Sequence, residues 1–78
     1  MFNNYLSDFL EKNSISQSKF AQLIGVSQMS ISRYTDQVAP AMPRADVWGK
    51  IAEAISKVES LPIDIILERM YQSLRDEQ

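Results

Sequence analysis

The sequence predicts an all-α fold, five short helices packed as one compact domain, and three observations carry that expectation. Apolar residues recur at i, i+3 and i+4 in successive stretches, which gathers them on one helical face rather than on the alternating faces of a strand. All three prolines, Pro40, Pro43 and Pro62, fall between those stretches, where a missing N–H and a fixed φ do least harm. Seventy-eight residues with 45% hydrophobic content suffice for one small core and no more.

The first helix is expected over residues 3–12. Phe2, Tyr5, Leu6, Phe9 and Leu10 form its apolar stripe, leaving Ser7, Asp8, Glu11 and Lys12 outward. Asn13 and Ser14 end it. Ser16 then has the chemistry of an N-cap for a second helix over 17–24. Ile15 before the cap and Phe20 within the first turn have the spacing of a hydrophobic staple, which fixes the entry angle. Gly25 follows, a residue that adopts positive φ at no steric cost, as a tight turn between two helices needs. Ala21, four residues earlier, supplies a small side chain where two steeply crossed helices approach. Val26 returns the chain to the core, and Ser27 can cap a third helix over 28–34 or 28–35. If Ile31 and Tyr34 face inward, Gln28, Met29, Ser32 and Arg33 face out.

Residues 36–43, DQVAPAMP, read as a loop. A fourth helix is expected over 45–57, with Val47, Trp48, Ile51, Ala52 and Ile55 inward and Trp48 completing the core against the first helix. Residues 59–62 break the pattern. A fifth helix over 63–73 carries Ile63, Ile66, Leu67, Met70, Tyr71 and Leu74, more apolar surface than a small closing helix needs, with Ile65 off the stripe. Residues 75–78 are expected to fray. The stretches show no internal repeat, and a second domain is not expected.

Gln17, Phe20-Ala21, Gly25-Val26, Ser27-Gln28 and Ile31, with Tyr34 at the last inward position, resemble the DNA-binding helix-turn-helix of the phage repressor and Cro proteins. The resemblance is strongest over 16–31 and looser to about residue 66. It implies a compact five-helix lambda repressor-like domain and a sequence-specific regulator that binds double-stranded DNA at a palindromic operator. It also implies a homodimer whose two reader helices enter major grooves about 34 Å apart. The residues it assigns to DNA are Gln17, Ser27, Gln28, Met29, Ser30, Ser32, Arg33 and Arg44. Their chemistry suits base reading, since Arg donates twice to guanine, Gln pairs bidentately with adenine, and Met packs on a thymine methyl. Ser27 and Ser30 suit phosphates, and Gln17 at a helix start can bond a phosphate and brace a reading side chain. The Pro43-Arg44 pair resembles a loop end that sets an arginine at the edge of the minor groove. The loop departs from the family's commoner pattern, since Asp36-Gln37 stands where Asn-Gly often does. The resemblance further places the dimer contact on the last helix, at Ile65, Ile66 and Met70.

Net charge, -2, stands against nucleic-acid binding, but its distribution does not. Between Lys12 and Lys50 five basic residues face two acidic ones, Asp36 and Asp46, while the acidic excess lies before and after. A basic middle with acidic flanks orients a domain on a polyanion. With neither His nor Cys, the usual general base, thiol nucleophile and zinc ligands are missing, so no enzyme, no metal and no cofactor are expected. No small-molecule ligand is expected either. No signal peptide or membrane span is legible, and the expected location is the cytoplasm of a bacterial host, at the nucleoid. A second reading keeps the same fold as a protein-binding module, antirepressor or antitoxin-like; overall acidity and an outward Met29 favour it.

Overall fold

The computed structural model of the chain describes residues 1–75. Five helices follow one another: α1 Phe2–Lys12, α2 Gln17–Ile24, α3 Gln28–Tyr34, α4 Ala45–Glu59 and α5 Ile63–Arg75. The helix periodicity therefore located every element, with bounds shifted by one or two residues. Phe2 already belongs to α1, α4 runs to Glu59, and α5 runs to Arg75, so the expected frayed tail begins one residue too early. The remainder of that tail, residues 76–78, and with it Asp76 and Glu77 of the acidic flank, lies outside the described residues.

One core joins all five helices. Phe2, Leu6, Phe9 and Leu10 of α1 meet Phe20, Ala21 and Ile24 of α2, Ile31 of α3, Val47, Ile51, Ala52 and Ile55 of α4, and Ile66 and Met70 of α5. Phe9 and Phe20 meet edge to face at 5.7 Å, an arrangement that aligns a positive ring edge with a negative face. Trp48 packs on Phe2 at 4.8 Å, closing the core against α1 as its place on the fourth stripe predicts.

Ile66 and Met70 are corrected by this packing. Both are 0% exposed within the single chain, so neither has surface left for a dimer contact. They are the residues that hold α5 to the core, and full burial of such side chains contributes about 1.5–3 kcal/mol each. Ile65, by contrast, is 41% exposed.

Ion pairs tie α1, α4 and α5 together. Glu59, at the end of α4, meets Lys12 of α1 at 3.9 Å and Arg69 of α5 at 3.8 Å. Its carboxylate is largely covered, at 14% exposure, so the two cations replace the water it gave up. Burial, and next the negative charge of Glu59, raise the Tyr5 phenol above its ordinary pKa, and Arg69 partly offsets them. Among the described residues no helix is long and apolar enough to cross a membrane.

Candidate nucleic-acid interface

α2 and α3 are set by their ends. Ser16, in an extended conformation, accepts the Lys19 N–H at 3.0 Å and so satisfies one of the orphan donors that begin α2. Gly25 ends the helix at φ 75°, in the left-handed region, and both its N–H and that of Val26 go to the Ala21 carbonyl, at 2.9 and 3.0 Å. A Cβ at Gly25 would meet nothing within 4 Å, so glycine is required there by the backbone dihedral and not by space. Ser27 repeats the device of Ser16, accepting the Ser30 N–H at 3.2 Å.

The result is a short helix fixed at both ends with one face in the core. Ile31 is 0% exposed and Tyr34 is half-buried, while Gln28, Met29, Ser32 and Arg33 are all exposed, Met29 at 62%. The helical period thus places the four expected reading side chains on one open surface. None of them is covered by another part of the described chain. Arg33 takes part in none of the ion pairs among the described residues, which join Lys12 and Arg69 to Glu59, Arg44 to Asp46, and Lys57 to Glu53. The nearest carboxylate along the chain, Asp36, accepts the Val38 N–H at 3.2 Å.

The residues expected at the DNA backbone are placed less uniformly. The Ser27 and Ser30 hydroxyls lie 3.0 Å apart and share one hydrogen bond, which leaves the pair a single free O–H to donate outward. Gln17 points its amide at Thr35, with Nε2 donating to Oγ1 at 3.3 Å. Thr35 in turn contacts the Ile31 and Ser32 carbonyls at 3.0 and 3.2 Å. The start of α2 is thereby tied to the end of α3, and the second Nε2 N–H of Gln17 is left to donate. Arg44 sits apart, at the N-cap of α4, where it meets Asp46 at 3.7 Å with its side chain 84% exposed. An ion pair this exposed is weak and releases the guanidinium to a stronger anion at little cost.

Thr35 escaped the sequence reading. Nothing local marks it, because its partner is eighteen residues away in sequence and only the packed helix pair brings the two together. The loop after α3 is likewise explained only by tertiary bonds. Asp36 caps its own turn through Val38, and the Ala41 N–H returns to the Arg33 carbonyl at 3.0 Å. The loop thus closes through a side-chain acceptor and a backbone bond, with no residue at positive φ between Asp36 and Pro43. From the other side, Asn3 of α1 donates to the Asp36 carbonyl at 3.0 Å, so the loop is held against the core as well.

Two short helices, each capped by a serine and joined across a left-handed glycine, form a helix-turn-helix. The helix-turn-helix family pattern matches residues 6–60, and the chain belongs to that family, of the Cro and lambda repressor-like kind. No curated protein and no solved structure matches the chain. The matched span begins within α1 and ends at the cap of α4, so it takes in α2, α3 and the helices that brace them but leaves α5 outside.

Proposed function

We propose that this DNA-binding regulator is a Cro-like repressor, which occupies a palindromic operator as a dimer and reads each half-site with α3 in the major groove. Gln28, Met29, Ser32 and Arg33 contact base edges, with Arg33 donating to guanine O6 and N7, Gln28 pairing with adenine and Met29 packing on a thymine methyl. Gln17, the free hydroxyl of the Ser27–Ser30 pair and Arg44 contact the sugar-phosphate backbone and set the register. The observation that carries this reading is the outward face of α3, exposed at Gln28, Met29, Ser32 and Arg33, with Arg33 in no ion pair among the described residues of a chain of net charge -2. An acidic protein that keeps one such face clear of its own acids favours a polyanion there.

Few cations are available, so about 3 to 4 phosphate contacts per half-site are expected, and a log-log salt slope of about -5 to -7 for the dimer. Selection of bound sites from a random duplex library tests the reading. An enriched palindrome supports it. Absence of any bound duplex at low salt sinks it, and moves the chain to the protein-binding reading that the exposed Met29 favours. Within the enriched site, Arg33→Ala should flatten preference at one base pair and cost roughly 1–3 kcal/mol. Operator discrimination unchanged in that variant would remove Arg33 from the reading set.

A further inference from the structure

We propose that the groove between α2 and α4 is a docking site for an acidic amphipathic helix of another protein. The groove encloses about 370 Å³. Its floor is Ile24, buried at the end of α2, and Ala54, whose methyl group leaves the trough its depth. Leu23 of α2 and Val58 of α4 form its edges, 53% and 39% exposed. Single apolar side chains at a surface are ordinary, but two that border one concavity from different helices leave a continuous apolar trough in water. None of the groove residues is among those proposed to touch the duplex, and Met29 stands elsewhere, on α3, so the inference goes beyond the DNA reading.

The length of the trough fits a helix. Along α4 its wall comes from positions 50, 53, 54, 57 and 58, the i, i+3, i+4, i+7, i+8 series that keeps side chains on one face. Eight residues of helix rise about 12 Å, the length over which a partner helix presents three anchors, at i, i+3 or i+4, and i+7. The polar side chains that line it, Lys50, Glu53 and Lys57, are all exposed, so none is buried within it as the orienting group of a small-molecule pocket is.

Charge specifies the partner. Lys50 and Lys57 stand two turns apart on that face of α4, and Lys19, one turn before Leu23, stands on the same side of α2. Lys19 and Lys50 take part in none of the ion pairs among the described residues. Lys57 meets Glu53 at 3.5 Å with the two side chains 77% and 65% exposed, a contact weak enough to yield to a stronger anion. Three cations and one acid thus border or flank an apolar trough in a chain whose net charge is -2. That local excess calls for carboxylates on the partner, spaced about seven residues apart to meet Lys50 and Lys57 and set beside the apolar anchors.

Selection from a displayed library of helical peptides on the full chain, with Leu23→Glu as the counter-selecting variant, tests this. Enriched peptides should carry apolar residues at i, i+3 or i+4, and i+7, with Asp or Glu beside them. The affinity of one such labelled peptide, read by fluorescence anisotropy, should fall about tenfold or more in Leu23→Glu and in the double variant Lys50→Glu, Lys57→Glu, while far-ultraviolet circular dichroism stays as in the wild type. The double variant should in turn favour the same peptide with lysines in place of its acids. Arg33→Ala should bind the peptide as the wild type does. The proposal is overturned by a library that yields nothing, by enriched peptides that are basic or that hold Leu23→Glu equally well, and by loss of binding in Arg33→Ala, which would put the peptides on α3. Displacement of the peptide by an equal concentration of decanoate would give the trough to a small amphiphilic anion, and self-association that Leu23→Glu abolishes would give it to a second copy; either also overturns it. Duplex selection is scored separately. A chain that enriches an operator and no peptide defeats the docking alone, and one that enriches peptides and no duplex defeats the DNA reading alone.

Discussion

The chain makes the same turn twice and uses the results differently. At the end of α2, the N–H groups of Gly25 and Val26 both go to the Ala21 carbonyl. At the end of α4, those of Ser60 and Leu61 both go to the Ser56 carbonyl. Both turning residues are left-handed, Gly25 at φ 75° and Ser60 at φ 56°. The first turn is followed by a serine cap and a helix that faces solvent with polar side chains. The second is followed by Pro62 and a helix anchored by Ile66 and Met70. One backbone solution thus serves the helix-turn-helix pair and a bracing pair, and what separates them is which side chains follow the turn. The turn residues also differ in strain, since a serine in the left-handed region carries a steric cost that glycine avoids.

The comparison is tested hardest at the core. Phe20 is 0% exposed and touches Phe9 of α1, so Phe20→Ala should cost about 3–5 kcal/mol in urea melts. A single cooperative transition is expected in that variant; a surviving separate transition of α4 and α5 would show the two pairs to be independent units. The turns themselves come next. Gly25→Ala should destabilise by about 1–2 kcal/mol through the dihedral alone, because the added Cβ meets nothing. Ser60→Gly should act in the opposite sense, stabilising by roughly 0.5–1 kcal/mol. Equal signs for the two substitutions would break the equivalence of the turns. The smallest effect concerns the bracing side only. Burial and Glu59 raise the Tyr5 phenol, so the folded chain keeps a proton that the unfolded chain releases from about pH 10. The contribution of Tyr5 is whole below that pH and falls as pH rises above it. Thermal melts from pH 8 to 11 should show wild type losing stability relative to Tyr5→Phe only at the alkaline end.

Much of this was legible in the sequence because it is local. Serine before each of α2 and α3, glycine between them, and apolar residues at helical spacing name the caps, the turn and the buried face from neighbours a few residues apart. The outward side of α3 follows from the same arithmetic. What depended on two distant segments was hidden. Gln17 finds Thr35 only when α2 and α3 are crossed, and Asn3 finds the loop only when α1 is laid across it. The stripe on α5 misled for a related reason. Periodicity says that Ile66, Met70 and Tyr71 share a broad face, but only the packed neighbours say that the first two are spent on the core and the third is not.

The sole tryptophan stands between Phe2 in the interior and Tyr71 at the surface, with ring centroids 4.8 and 5.7 Å away. α3 contributes no indole of its own. Emission from Trp48 therefore serves as an intrinsic optical gauge of the α1–α4–α5 junction, reporting on the packing of three helices from a single residue.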